Sequence, residues 1–150
     1  MSEVIRLLAA LVKPFEGLHK LVKGKVYPYI CPAGYWTRGF GVLCDKDTPP
    51  ITPAQAEEEL YRILPGYVAE TIRLCPGLLR EHPRKLAAIA DFTFNLGAGR
   101  LRISTLRRRV NAGDWEGACT ELAKWVNGGG RRLPGLVLRR AAGIKLIRGN

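Results

Sequence analysis

The segment that decides the fold is rich in turn residues and aromatic side chains, and it reads Tyr29-Ile30-Cys31-Pro32-Ala33-Gly34-Tyr35-Trp36-Thr37-Arg38-Gly39-Phe40-Gly41. Proline and glycine at short intervals among aromatic and β-branched residues predict short strands joined by tight turns. An isolated acid lies upstream in the run Phe15-Glu16-Gly17-Leu18. One acid, followed by a cysteine and a threonine in a turn-rich segment, predicts acid catalysis with a positioned water.

Helical patterns flank this segment on both sides. Ser2 is the predicted N-cap of a helix over residues 3–13, with Gly17 at its exit. After a loop over residues 45–50, Thr52-Pro53 predicts the start of a helix that runs to about Leu64. Pro65-Gly66 then predicts a break before a separate helix over residues 67–74.

The C-terminal half also predicts helices. The apolar run over residues 86–94 predicts a central buried helix that Gly97 and Gly99 end. Further predicted helices span residues 106–111, capped by Ser104 or Thr105, and 115–126, capped by Asp114. Three glycines at 128–130 predict a turn before a basic helix over residues 136–147.

Length and element order together predict one α+β domain over residues 1–150. The expected architecture is a small N-terminal β-sheet lobe packed beside a larger helical lobe. We expect a substrate cleft between the two lobes, wide enough for a polymer.

The charge balance predicts an anionic partner. There are 24 Lys and Arg residues against 13 Asp and Glu, a formal net charge of +11. Such a balance favours nucleic acid, anionic lipid or a cell-wall polymer that carries carboxylates, and the sign alone does not choose among them.

The cysteine pattern predicts neither a metal site nor a cofactor. Cys31, Cys44, Cys75 and Cys119 form no CxxC pair, and the chain has two histidines. We therefore expect reduced thiols. The apolar run over residues 7–12 is far shorter than a membrane span, so we expect no signal peptide and no anchor.

Several motifs resemble those of one family over nearly the whole chain. The sequence from Cys31 to Gly41 has the form CPAGxWTxGxG, and Asp91–Gly97 matches DFxFNxG. Ser104–Leu106 matches STL, and Gly135–Arg140 matches GLxxRR. In these motifs the chain resembles the phage-type lysozymes and endolysins of glycoside hydrolase family 24, which include the T4-like and P21-like muramidases.

The resemblance implies a catalytic triad of Glu16, Cys31 and Thr37. Glu16 would be the general acid, and apolar surroundings would favour its protonated form. Cys31 and Thr37 would position or activate the attacking water in an inverting hydrolysis. The implied substrate is the β-1,4 bond between N-acetylmuramic acid and N-acetylglucosamine in bacterial peptidoglycan.

The resemblance also implies where such a protein acts. It would be a monomer that accumulates in the host cytoplasm, waits for a holin to open the membrane, and then lyses the cell from the periplasm or cell wall. Asn95, Phe94, Thr105 and Arg139 fall at positions implied to contact substrate. Each has a structural alternative, because phenylalanines commonly pack in cores, threonine caps helices, and basic residues lie on solvated faces. Pairing of Arg139 and Arg140 with Glu16 is a further alternative, and we expect at least one of the two on a solvated face.

The residues themselves leave other mechanisms open. One alternative is that Cys31 is a small packing residue, and another is that it is a thiolate nucleophile in a retaining mechanism. Asp45 and Asp47 are the nearest carboxylates for an alternative base. The chain departs from the family pattern by a basic insertion around residues 19–25, which we expect to lengthen the first hairpin. It also has Arg38, Phe40, Val42 and Gly143 where other residues are usual.

Two other functions compete with hydrolysis. The basic C-terminal helix over residues 135–148 has the composition of an interfacial helix, so it predicts, as an alternative or an addition, disruption of anionic membranes or lipopolysaccharide. The cluster Arg107-Arg108-Arg109 lacks the spacing of a nucleic-acid motif, and we expect no nucleic-acid partner.

Overall fold

The computed structural model describes residues 2–150, and its first element is the predicted N-terminal helix, α1, over Glu3–Glu16. The Ser2 hydroxyl accepts a hydrogen bond from the Ile5 N–H at 3.3 Å, which confirms the predicted cap. At the other end, Gly17 has a φ of +64°, and its N–H donates to the Lys13 carbonyl at 2.9 Å. Because glycine adopts this left-handed conformation readily, α1 ends where the sequence predicts.

The predicted strand region forms two small antiparallel sheets, whose strands are β1 (Leu21–Val22), β2 (Lys25–Val26), β3 (Tyr29–Ile30), β4 (Trp36–Arg38) and β5 (Val42–Leu43). Strands β1 and β2 pair as a hairpin, and β3, β4 and β5 form a three-stranded meander in that order. The inserted segment over residues 19–25 therefore contributes β1, the turn and the start of β2. The base of this hairpin is held by a bridge between Val26 and Ile51.

The prediction of two helices separated at Pro65-Gly66 is wrong. A single helix, α2, runs over Pro53–Leu74 and contains Pro65. Its start is as predicted, because Thr52 Oγ1 accepts from the Gln55 N–H at 3.1 Å and Gln55 Oε1 accepts from the Thr52 N–H at 2.9 Å. Leu60 and Leu64, which precede Pro65 on the same helix, are fully buried. Burial of this apolar stripe outweighs the hydrogen bond that proline removes.

Five more helices follow, α3 (Pro83–Leu96), α4 (Ala98–Ile103), α5 (Thr105–Asn111), α6 (Trp115–Leu122) and α7 (Pro134–Arg148). A 3-10 helix over Pro76–Arg80 precedes α3, and a hairpin of β6 (Asn127–Gly128) and β7 (Arg131–Arg132) precedes α7. The 3-10 helix and α4 lie outside the sequence predictions, and α6 ends four residues earlier than predicted.

Side-chain caps fix the start of two of these helices. Ser104, one of the two predicted candidates, accepts from the Arg107 N–H at 3.0 Å and so caps α5. Asp114 accepts from the Gly117 N–H at 2.9 Å and caps α6, as predicted. Ser104 directly follows α4, whereas Asp114 follows a two-residue loop after α5.

The chain divides into two compact units. One comprises the chain up to Leu11 together with Leu64–Asn150, and the other comprises Val12–Ile63. The larger unit is helical around α3, whose residues 86–93 are all buried. The smaller unit contains β1 to β5, and its buried residues include Val12, Val26, Phe40, Ala56 and Leu60. The predicted α+β class is confirmed, whereas a single catalytic domain over residues 1–150 stays a prediction. Within residues 2–150, no helix is both long and apolar enough to cross a membrane.

Candidate functional site

Glu16 lies at the end of α1 and faces the turn between β4 and β5. A Cβ atom placed on Gly41 would come within 2.9 Å of Glu16 Oε2 and 3.3 Å of Glu16 Cδ. Gly41 has a φ of +83°, so both its backbone conformation and the space beside it require glycine. The absence of a side chain at residue 41 is what allows the carboxylate to lie against this turn.

Tyr29, Cys31 and Thr37 lie on one face of the sheet. Tyr29 stands directly opposite Thr37 in the β3–β4 ladder. The Cys31 N–H donates to the Tyr35 carbonyl at 2.9 Å, and this hydrogen bond extends the β3–β4 pairing to residues 31 and 35. Because side chains alternate along a strand, residues 29, 31, 35 and 37 share a face. The sheet register therefore places the predicted Cys31 and Thr37 on the same face.

Thr37 is buried, with 5% of its surface exposed, and its hydroxyl has a defined donor role. Thr37 Oγ1 donates to the Tyr29 carbonyl at 3.3 Å. A threonine hydroxyl that donates its proton to a carbonyl keeps its lone pairs as acceptors. In this orientation Thr37 can accept a hydrogen bond from a water molecule but cannot act as a strong base.

Tyr29 links all three predicted catalytic residues. Burial raises the pKa of the Tyr29 phenol above its usual value, the neighbouring Thr37 hydroxyl opposes this rise, and negative charge on Glu16, Cys31 and Cys44 adds to it. The phenol therefore lies within the electrostatic reach of both Glu16 and Cys31. Its ring also packs on the His19 ring, with centroids 4.8 Å apart.

Arg38 ties the strand that carries Thr37 to the following helix. Its Nη2 forms an ion pair with Glu59 Oε1 of α2 at 2.5 Å, and its Nη1 donates to the Pro49 carbonyl. Both side chains of the pair are mostly buried. This contact explains how a charged residue replaces the apolar one that is usual in the family pattern. Asp45 and Asp47, the alternative bases, lie exposed in the loop after β5.

The expectation that Arg139 or Arg140 lies on a solvated face is wrong. Both are buried, and both face Asp91 of α3, which is itself 2% exposed. Arg139 Nη2 donates to Asp91 Oδ1 at 2.7 Å, and its Nε lies 3.1 Å from Oδ2. Arg140 Nη1 lies 3.9 Å from Asp91 Oδ2, and Arg140 Nε donates to the Trp125 carbonyl at 2.9 Å. This position speaks against direct substrate contact by Arg139.

Two guanidinium groups, those of Arg139 and Arg140, face the Asp91 carboxylate in the buried cluster. Burial lowers the pKa of the Arg140 guanidinium, the Asp91 carboxylate opposes that shift, and the charge of Arg139 adds to it. Because an arginine starts from so high a pKa, the group remains charged at neutral pH. Asp91 is therefore an anion that stabilises both buried cations of α7.

The other predicted substrate contacts are partly exposed. Asn95 Oδ1 accepts from Arg140 Nη2, so one side of its amide serves the buried cluster. The Phe94 ring packs edge-on against Tyr67, with centroids 5.0 Å apart. Thr105 Oγ1 accepts from Arg108 Nη2 at 2.8 Å. Substrate contact by Asn95, Phe94 and Thr105 stays a prediction.

Sequence reasoning missed two residues of this site, Tyr29 and Gly41. Tyr29 lies two positions before Cys31, and an i, i+2 pair on a predicted strand shares a face. That spacing was the available signal. Gly41 and Glu16 are 25 positions apart in the sequence, and a local sequence pattern does not predict a contact between residues so far apart.

Comparison with known proteins identifies the family. Residues 13–143 match the family model described as phage lysozyme. The endolysin of Acyrthosiphon pisum secondary endosymbiont phage 1 is 34% identical over 143 residues, which are 88% of this chain and 88% of that one. The SAR-endolysin of Enterobacteria phage P21 is 45% identical over 119 residues, or 75% of this chain and 68% of that one. The chain therefore belongs to the phage lysozyme family.

Members of this family are endolysins and glycoside hydrolases that act on peptidoglycan, and the predicted resemblance and enzyme class are confirmed. The fold agrees as well. The muramidase domain of SpmX from Asticaccaulis excentricus superposes with a TM-score of 0.76 at 23% identity, covering 98% of this chain and 95% of that one. At that identity the likeness concerns the fold alone, and it is lysozyme-like.

Proposed function

We propose that the chain hydrolyses the β-1,4 bond between N-acetylmuramic acid and N-acetylglucosamine, with Glu16 as general acid and with Cys31 and Thr37 positioning water. The observation that carries this proposal is the placement of Tyr29. Tyr29 stands opposite Thr37 in the β3–β4 ladder and two residues before Cys31, and Glu16 lies against the β4–β5 turn of the same sheet. An inverting hydrolysis needs an acid for the leaving oxygen and a group that holds water on the opposite sugar face, and in this proposal Cys31 and Thr37 take the place of the usual second carboxylate.

The proposed reaction is a single displacement. Glu16 gives its proton to the bridging oxygen as the bond from the anomeric carbon to that oxygen breaks. A water molecule, held by Thr37 Oγ1 and Cys31 Sγ, forms the new bond on the opposite face of the sugar. Its proton leaves through Cys31 or through solvent, and Glu16 takes up a proton again from solvent. The product has the inverted anomeric configuration.

Several finer expectations belong to the same proposal. Phe94, Asn95 and Thr105 would contact the glycan. The chain would act as a monomer, remain in the host cytoplasm until a holin opens the membrane, and then reach the wall. Its net charge of +11 would draw it to the anionic polymer, with an attraction that weakens as salt screens it.

Clearing of a peptidoglycan suspension tests the proposal. Glu16→Gln should lose roughly 10²–10⁴-fold in rate, the usual contribution of a general acid. Cys31→Ala and Thr37→Ala should each lose about tenfold or more, because each removes a hydrogen bond to water. Glu3→Gln is the matched control, since it neutralises an exposed acid at the other end of α1. Full clearing by Glu16→Gln would refute the acid role.

The anomeric configuration of the first product tests the displacement. Inversion, observed by NMR before mutarotation, supports attack by water. Retention would favour Cys31 as a nucleophile and would contradict the proposed mechanism.

The C-terminal helix offers no support for the competing membrane function. An interfacial helix places its basic side chains on a solvated face. In α7, Arg139 and Arg140 are instead buried around Asp91. Two of the four cationic side chains of α7 are therefore buried inside the helical unit and do not lie on a solvated face.

A further inference from the structure

The β1–β2 hairpin presents two neighbouring aliphatic side chains to solvent. Leu21 is 50% exposed and Val22 is 47% exposed. Consecutive residues of a strand point to opposite faces, so a hairpin with one face packed on the protein would expose only one of them. The tip of this hairpin is therefore solvated on both faces.

The base of the hairpin is well anchored. Val26 is fully buried, and its N–H and carbonyl both bond to Ile51, at 2.6 and 3.0 Å. The Tyr27 N–H donates to the Lys20 carbonyl at 3.1 Å. Leu21 and Val22 are thus held outward by a fixed base and are not part of a chain end.

The charge around the tip is mainly positive. Lys20, Lys23 and Lys25 flank the aliphatic pair, and the sequence contains no Asp or Glu from Gly17 to Cys44. Asp47 and Lys46 share a pocket with Lys20, so Lys23 and Lys25 are the charges least offset by an acid. The tip therefore combines apolar side chains with cations.

The turn itself keeps a lysine in an unfavourable position. Lys23 and Gly24, between the paired Val22 and Lys25, have φ values of +50° and +76°. Positive φ at both central residues defines a type I′ turn, in which asparagine, aspartate or glycine is preferred at the first position. A lysine there is conformationally disfavoured. Such outliers cluster at functional positions, which points to a use for this charge.

We propose that the β1–β2 hairpin docks the protein on anionic lipid, with Leu21 and Val22 entering the interface and Lys23 and Lys25 binding headgroup phosphates. Aliphatic side chains gain from leaving water at a lipid interface, and basic residues gain from the surface potential. A glycan that bears carboxylates would pair with the lysines but would bury little of the aliphatic surface. The exposed Leu21 and Val22 therefore favour a lipid partner. This inference is independent of the proposed hydrolysis.

Cosedimentation of the full-length chain with vesicles tests the inference. The vesicles contain equal amounts of phosphatidylcholine and phosphatidylglycerol, with pure phosphatidylcholine for comparison. The wild type should bind the mixed vesicles much more tightly. Lys23→Asn should weaken binding roughly fivefold, the usual effect of one basic residue at such a surface. Its melting temperature should equal or exceed that of the wild type, because asparagine suits the turn.

Four further variants separate the possible causes. Replacing Leu21 and Val22 together by threonine keeps every charge and should weaken binding about tenfold. Lys25→Thr should weaken binding to the mixed vesicles as much as Lys23→Asn does, and it replaces that variant in the test if Lys23→Asn does not fold. Lys145→Gln, which removes the same charge from the exposed side of α7, is the matched control and should change binding by less than about twofold. Glu16→Gln should bind vesicles like the wild type, whatever becomes of hydrolysis.

Three results would overturn the inference. The first is equal binding to both kinds of vesicle. The second is a loss in Lys145→Gln as large as that in Lys23→Asn, which would indicate net charge alone. The third is full binding by the threonine double variant, or a loss that appears only on lipid-free peptidoglycan, which would assign the hairpin to the wall polymer.

Discussion

The carboxylate of Glu16 occupies the space that a side chain on residue 41 would need, with Oε2 2.9 Å from the position of such a Cβ. The two residues belong to different elements, the end of α1 and the turn between β4 and β5. Their contact fixes the acid against the same sheet that carries Thr37. It also makes Gly41 a residue whose replacement separates activity from stability.

Gly41→Ala should lower activity more than its effect on stability explains. The left-handed backbone costs an alanine about 1–2 kcal/mol, and the new methyl group must also displace Glu16. Gly113→Ala is the matched control, because Gly113 has a φ of +71° with nothing within 4 Å of its Cβ. Clearing rates and unfolding free energies of both variants provide the comparison. Equal activity in the two variants would refute a positioning role for this contact.

Tyr29→Phe should slow turnover by up to about tenfold, the equivalent of one lost hydrogen bond. The phenylalanine ring can still pack on His19, so the melting temperature should change little. Tyr35→Phe is the control, since Tyr35 is 63% exposed on the same face. A Tyr29→Phe variant with unchanged turnover would show that the phenol oxygen has no part in positioning.

Asp91→Asn should be among the most destabilising single substitutions. It removes the buried carboxylate that both Arg139 and Arg140 face, and breaking such a cluster costs about 3–5 kcal/mol. Glu70→Gln, which breaks the exposed pair between Glu70 and Arg73, should cost less than about 1 kcal/mol. Chemical denaturation of both variants gives the two values. A cost for Asp91→Asn as small as that for Glu70→Gln would mean that water reaches the cluster.

Alkaline pH should destabilise the protein through Cys75. Burial raises the pKa of this thiol from 9.0 to about 11. A raised pKa means that the folded state holds the proton more tightly than the unfolded state. The contribution of the Cys75 thiol to the free energy of unfolding is therefore fully present below pH 9 and is lost as pH rises to about 11. The expected loss is about 2–3 kcal/mol. Burial also raises the pKa of Cys44 and Cys119, which acts in the same direction.

The unfolding free energy of Cys75→Ala, followed over the same pH range, isolates this thiol. The variant starts from a lower stability because it loses a buried sulfur, but its decline with pH should be shallower than that of the wild type. Parallel curves for the two proteins would assign the alkaline loss to other groups.

Local signals in the sequence predicted much of the fold. Caps at Ser2, Thr52 and Asp114 and the left-handed exit at Gly17 each depend on hydrogen bonds between residues a few positions apart. Such contacts are available to sequence reasoning because the chain itself brings the partners together. The short strands are explained in the same way, by turn residues at close spacing.

Features that depend on distant partners were not predictable. Pro65 breaks an isolated helix, yet α2 continues because packing of its apolar stripe outweighs the local preference. Arg139 and Arg140 have the pattern of a solvated face, and their anion, Asp91, lies 48 positions away for Arg139. Likewise, the motif pointed to Cys31 and Thr37, and spacing relates Tyr29 to Cys31, but the pairing of Tyr29 with Thr37 required the structure.

Glu16 is the last residue of α1, so its position depends on whether the final turn of this helix stays formed. Pro14, two residues earlier, has no N–H, so the final turn lacks one of its hydrogen bonds. A helix terminus opens at far lower free energy than the body of a domain. Warming should therefore reduce the activity that depends on Glu16 before calorimetry detects unfolding of the protein. Amide hydrogen exchange at residues 15–17 should also be faster than exchange at the middle of α1.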